Sequence, residues 1–324
     1  MRFRSIAVVT LLSLCAPGSA RAQSAAADPQ CTSQNITLRD ACQQTIDLFQ
    51  YMAPQLGLAI TGGNATLAQG GTLGGLPHWT VGVRVNLLAG HVPELQTPDP
   101  TGINQRSAYP VVNQFLGLPA VDASIGLFKG LPLALSNVGG VDLLLSAAYV
   151  PTIESDDIKI VPETNLKIGY GVRVGLLQES LVVPGVSFSY LMRGLPKTDI
   201  TGTVGTATFN VSDLDLKSSA WRITASKSLI LFTLAAGAGQ DMYDISTGVS
   251  STVGAASTNT FTVKQKATRT NYFADLSMNL LLLKLVGEVG MTSGGAKDIM
   301  THNTFTTAAS TSRMYGSVGA RIGF

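Results

Sequence analysis

The chain of 324 residues is poor in the side chains on which most chemistry depends, with 3 histidines, 3 cysteines and 2 tryptophans. Metal clusters and histidine-centred catalysis need several such residues brought together, so both are disfavoured at the outset. Charged residues make up only 13% of the chain. No stretch after residue 22 offers the ~18 uninterrupted apolar residues of a spanning helix. The glycine-dense stretch 57–75 lacks the Gly-Lys-Ser/Thr ending of a phosphate-binding loop, which sets nucleotide binding aside. Yet 45% of the residues are hydrophobic, and the mean hydropathy is positive. A hydrophobic chain without a spanning helix is expected to carry its apolar residues in alternation along strands.

Residues 1–22 read as a signal peptide: Arg2 and Arg4, an apolar core from Ile6 to Leu14, then Ala20-Arg21-Ala22 before the cut. Leu14 is too large for the position preceding a lipidated cysteine, so Cys15 is not read as an anchor. Loss of Arg2, Arg4 and Arg21 lowers the 22 basic residues to 19, against 20 acidic ones. That balance gives no electrostatic reason to expect nucleic acid as a partner. Cys31 and Cys42 remain. In an oxidising compartment a structural disulfide is favoured over a redox pair, whose spacing is usually tighter, and over a metal site without nearby histidine. No cofactor or metal is expected.

One helix is expected over residues 38–52, with Thr37 and Asp40 as a capping box, Leu38, Cys42, Ile46, Phe49 and Ala53 as its apolar stripe, and Pro54 as its end. The glycines that follow allow backbone to pass close to other backbone. From His78 a period of two takes over, clearest where Leu166, Ile168, Tyr170, Val172, Val174 and Leu176 alternate with polar or small residues. Ten strands are expected, near 78–87, 120–129, 141–150, 165–176, 186–193, 217–227, 229–241, 270–281, 285–291 and 313–324. Their connections alternate long and short, as in a barrel with long loops at one end and short turns at the other. The fold class is therefore all-β, an antiparallel up-and-down transmembrane barrel of about ten strands (twelve if residues 56–67 and one more segment join), with a short N-terminal helix. The parts are a leader (1–22), a helix and Gly-rich segment serving as a lumen plug (23–77), and the barrel (78–324).

The inward phase carries the charges: Arg84, Asp122, Asp142, Lys167, Arg173, Arg193, Arg222, Asp275, Glu288, Arg313 and Arg321. They read either as a salt-bridged filling or as the lining of a polar passage. Trp79, Tyr149, Tyr190, Trp221 and Tyr272 fall near strand ends, where aromatics meet membrane interfaces. His302 with Asp298, Asp241 or Asp244 is the one constellation at the long-loop rim that resembles catalytic equipment, and the chain is not expected to be an enzyme. Glu154, Asp156 and Asp157 read as a solvated loop, the alternative being a site that binds a divalent ion or bridges lipopolysaccharide.

The last strand ends on Phe324, with Ile322, Ala320, Val318, Gly316 and Met314 before it on the same face. This resembles the closing strand of bacterial outer-membrane β-barrels, in which the terminal Phe is an insertion signal for the barrel-assembly machinery. The resemblance implies outer-membrane lipid and lipopolysaccharide as surroundings, in a Gram-negative envelope. The order of helix, Gly-rich thread and amphipathic strands is similar to the long-chain fatty acid transporter family, which moves hydrophobic compounds past an N-terminal plug. Where that family has Asn-Pro-Ala this chain reads Gly75-Leu76-Pro77, so no binding residue carries over. The function expected is transport or passive diffusion of small molecules of unknown identity, hydrophobic ones included. The alternative is a structural or surface-interaction barrel with a filled lumen and working outer loops.

Overall fold

The computed structural model describes residues 26–66, 68–99, 106–133, 136–155, 157–293 and 299–323. The leader, Asp156, Asp298 and the terminal Phe324 lie outside the described residues. Ten antiparallel strands follow one another round a closed ring. They are β1 (Trp79–Pro93), β2 (Val111–Phe128), β3 (Val141–Tyr149), β4 (Leu166–Leu177), β5 (Gly185–Gly194), β6 (Ala207–Ser228), β7 (Phe232–Val253), β8 (Phe261–Leu280), β9 (Leu283–Thr292) and β10 (Arg313–Gly323). The ring closes where β10 pairs with β1, from Thr80 opposite Gly323 to Leu88 opposite Tyr315. Closure removes the free sheet edges, so every wall strand is paired on both sides.

The sheet nevertheless holds fourteen strands, more than the ten or twelve expected. Ile153–Glu154, Ile158–Pro162, Thr198–Val204 and Ala256–Ser257 extend it at the long-loop end, outside the ring. The expected loops 194–216 and 242–269 are largely strand, because β6, β7 and β8 run on for 22, 22 and 20 residues. Their alternation survives there with its phase reversed. In β7, Phe232 and Leu234 face outward and Thr233 inward; past Asp241, Asp244 and Ser246 face outward while Tyr243, Ile245 and Val249 are buried. An apolar-out pattern suits a wall in lipid, and an apolar-in pattern suits a sheet in water with its own core.

That upper core is the N-terminal helix. A short turn α1 (Pro29–Thr32) is joined through the Cys31–Cys42 disulfide, Cα atoms 5.4 Å apart, to the long helix α2 (Ile36–Thr61). Ile46, Phe49 and Ala53 pack on Leu214, Leu216, Tyr243, Ile245 and Val249 of the tall strands. The helix is 26 residues long and passes through Pro54, beyond the expected end at residue 52. Proline leaves the carbonyl four residues back without its N–H. Here Gln265 Nε2 of β8 donates to Gln50 O at 3.1 Å and fills that vacancy. The expected capping box is also absent: Asn35 is the N-cap and makes no side-chain cap. Asp40 instead accepts from Asp99 N at 2.7 Å and from Gln44 Nε2 at 3.1 Å.

Candidate functional site

The lumen is occupied by α2 and then residues 62–66 and 68–77, running from the long-loop mouth to the short-turn end. Three features hold this segment. The first is the C-terminal end of α2, where carbonyls lack intrahelical partners and the helix dipole is negative. Three wall arginines converge on it. Arg193 Nη1 donates to Ile60 O at 2.8 Å, Arg222 Nη2 to Thr61 O at 3.1 Å and Arg84 Nη1 to Gly62 O at 2.9 Å. Asn86 Nδ2 reaches Ala59 O at 3.3 Å, and Thr61 Oγ1 shares a hydrogen bond with the Tyr243 hydroxyl at 2.8 Å. Two of the arginines carry their own counter-ion: Arg84 is paired with Asp122, and Arg222 with Asp241 at 2.7 Å. Asn271 Nδ2 holds Asp241 at 2.7 Å.

The second feature is the thread itself. Asn64 N donates to Glu288 Oε2 at 2.7 Å and its Nδ2 to Asp275 Oδ2 at 3.4 Å. Asp275 and Glu288 sit directly opposite each other on β8 and β9. Arg321 donates to Thr66 O at 2.7 Å and Gln69 Oε1 at 3.0 Å. Arg173, fully buried, pairs with Asp142 at 2.6 Å and reaches Gln69 O at 3.2 Å, while Leu73 N donates to Asp142 Oδ2 at 3.1 Å. The glycines allow this contact. A Cβ on Gly70 would lie 2.3 Å from Ser226 N, whose own hydroxyl receives the Gly70 N–H at 2.8 Å. Gly63 combines φ +82° with a site where a Cβ would lie 2.2 Å from Arg84 Nη1.

The third feature is the mouth. Asp47 accepts from His302 N at 3.1 Å, Asn303 N at 2.9 Å and Asn303 Nδ2 at 2.8 Å, tying the connection after β9 to the helix. Tyr51 stacks on Phe305 with ring centroids 4.2 Å apart. Burial pushes the Asp47 carboxyl above its ordinary value, opposed by the donors from Asn303, His302 and Gln43. Asp40 is raised for the same first cause, against the hydrogen bonds from Asp99 and Gln44.

Of the eleven charges expected on the inward phase, Lys167 is exposed. Arg313 is buried beside Tyr51, and Arg193 is half-buried. The other eight are buried and bound into the network just described. The cavity beside Gly63, Asn64, Arg193 and Arg222 has a volume of about 10 Å³, room for about one water. Sequence reasoning missed Asp241 and Arg269 as inward residues, because it ended one strand at 241 and began the next at 270. It also missed Asp40 and Asp47. Their signal was present in the i, i+4 pairs Asp40–Gln44 and Gln43–Asp47 on a helix otherwise read as amphipathic.

Of the rim constellation, Asp298 lies outside the described residues and His302 is buried. Asp241 lies in the lumen with Arg222, and Asp244 faces outward with Lys266 at 3.3 Å. Among the described residues no group of three or more His, Cys, Asp or Glu is placed to hold a metal. Glu154 pairs with Lys159 at 2.8 Å, both exposed.

No family model matches the chain, and no curated protein matches it. Solved structures similar to it are bacterial outer-membrane proteins. A loop-deletion mutant of OmpT from Vibrio cholerae is 12% identical, covering 76% of this chain and 98% of that one, with a TM-score of 0.21. The outer membrane channel DcaP of Acinetobacter baumannii is 8% identical over 76% and 96%, TM-score 0.19. An anion-selective porin from Comamonas acidovorans is 9% identical over 76% and 98%, TM-score 0.17. None of these likenesses supports the long-chain fatty acid transporter family expected from the sequence.

Proposed function

We propose that this chain is an integral outer-membrane β-barrel, closed by its own N-terminal segment, whose work is done by the surface at its long-loop end. The location rests on the outward face of the wall. Val83, Ile168, Leu234, Leu276, Val289 and Val318 are exposed around the ring, and the outward positions of this band carry no charge. Above it Lys217, Asp244 and Lys266 stand side by side on β6, β7 and β8, a charged girdle at the level where the phase of the strands reverses. A bilayer requires such a band, about 25 Å tall, with charges beyond it.

The single observation that carries the closed reading is the series of hydrogen bonds between the wall and Ala59, Ile60, Thr61, Gly62, Asn64, Thr66, Gln69, Gly70 and Leu73. The cavity beside Gly63, Asn64, Arg193 and Arg222 has a volume of about 10 Å³, enough for about one water and not for a larger solute. We read the chain as a non-enzyme that works through its surface and binds no cofactor. A second reading, transport of small or hydrophobic solutes, is favoured by one fact: a single segment fills the bore, so its withdrawal alone opens a path.

Orientation is tested by Ser257→Cys, at the tip of the tall β7–β8 hairpin. On intact cells an impermeant maleimide is expected to label it. Labelling that appears only after lysis overturns the assignment of this end to the cell surface.

A further inference from the structure

The short-turn end departs from what a water-exposed rim requires. Leu281 is 101% exposed, Ile230 97% and Leu181 94%, and Val182, Leu231 and Leu282 stand beside them. Turns of this kind normally take Asn, Asp or Gly, which accept positive φ readily. Here Leu281 adopts φ +53°. Polar residues are few at these tips, and most of those present are turned inward and satisfied. Lys227 Nζ donates to Ser180 O at 2.6 Å and to Leu181 O at 2.8 Å. Glu179 accepts from Ser226 Oγ at 3.3 Å and from Ser228 N. The backbone closes on itself as well, with Leu229 N to Phe232 O at 2.6 Å, Asn279 N to Leu231 O at 2.8 Å and Ser180 N to Val183 O at 3.0 Å. Lys129 is the charged side chain left exposed here, long enough to extend toward headgroups.

Apolar side chains outside, with the polar side chains of the turns drawn inward, suit a rim that faces lipid rather than water. The tips also continue the apolar band of the wall without an intervening polar collar: Leu276, Met278 and Leu280 lead straight to Leu281 and Leu282. We propose that the short turns are sunk in the bilayer, so that the inner membrane boundary lies beyond the turn tips and the occupant of this rim is lipid hydrocarbon. The inference rests on the outer-membrane reading and goes beyond it by fixing depth. A protein partner seated on the rim is the competing occupant.

The test uses full-length protein with Trp79→Phe and Trp221→Phe, refolded into phosphatidylcholine vesicles and checked by heat-modifiable gel mobility. Single tryptophans are placed by Ile230→Trp and Leu281→Trp at the tips and by Ile168→Trp in mid-band. Val182→Trp and Leu282→Trp serve where a tip variant fails the mobility check. Lipids brominated on the acyl chains are expected to remove most of the tip emission, with aqueous iodide quenching it no more than at the mid-band control. Tips quenched by iodide while the control is quenched by brominated lipid overturn the inference and leave the rim to a protein partner. A control that also escapes brominated lipid overturns the outer-membrane reading itself.

Discussion

Gly70 shows how closely the thread is fitted to the wall. With 2.3 Å between a built Cβ and the Ser226 backbone nitrogen, Gly70→Ala must push the thread or β6 aside. The expected loss is about 1–3 kcal/mol, read as a lower heat-modification midpoint. Gly287 faces outward with nothing within 4 Å of a built Cβ, so Gly287→Ala should stay within about 0.5 kcal/mol of the parent. Asp47 provides a pH handle. Its folded value is raised, so its contribution to stability is fullest below the ordinary aspartate value and falls as pH rises through the raised one. Hydrogen exchange of the amides in residues 299–306, corrected for intrinsic rate, should therefore show greater protection at pH 4 than at pH 7. Asp47→Asn should shrink that difference. At this scale the sequence was informative about phase and silent about partners. Arg84, Arg173, Arg222 and Arg321 were readable as inward from alternation alone. That Arg84, Arg193 and Arg222 end on carbonyls at the end of α2 was not, because no local pattern reports a contact between residues 22, 133 or 161 positions apart.

Among the elements, α2 illustrates a tertiary contact overriding a local rule. Pro54 signals an end because it withholds one N–H, yet β8 supplies a substitute through Gln265. Gln265→Leu should cost about 1 kcal/mol in the parent. In a Pro54→Ala background, where the helix recovers its own donor, the cost should be smaller, and a double-mutant cycle on unfolding midpoints measures the coupling. Arg222 ties three elements together, with Asp241 on β7 and the end of α2. Arg222→Met leaves Asp241 buried without its cation and should cost about 3–5 kcal/mol. Adding Asp241→Asn should recover part of it. The tall halves of β6, β7 and β8 were hidden for a different reason. A search for apolar residues on the outward phase stops where the outward face turns polar, although the period of two continues past it. Tyr243, Ile245 and Val249 are that continuation, on the opposite face.

For the molecule as a whole, barrel class was legible because the same alternation repeats on every wall strand, and a repeated rule survives local noise. The occupied lumen was legible in outline, from a helix and a glycine-rich stretch ahead of the first strand. How firmly it is occupied was not, since that depends on the three-arginine end of α2 and on Asp142, Asp275 and Glu288 facing the thread. The central claim is that this segment closes the barrel. Its most direct test is single-channel conductance in a planar bilayer, comparing the full chain with a form lacking residues 26–77, each shown folded by heat-modifiable mobility. The full chain is predicted to be silent and the shortened form to give discrete steps. Steady conductance from the full chain, unchanged by the deletion, would contradict the account.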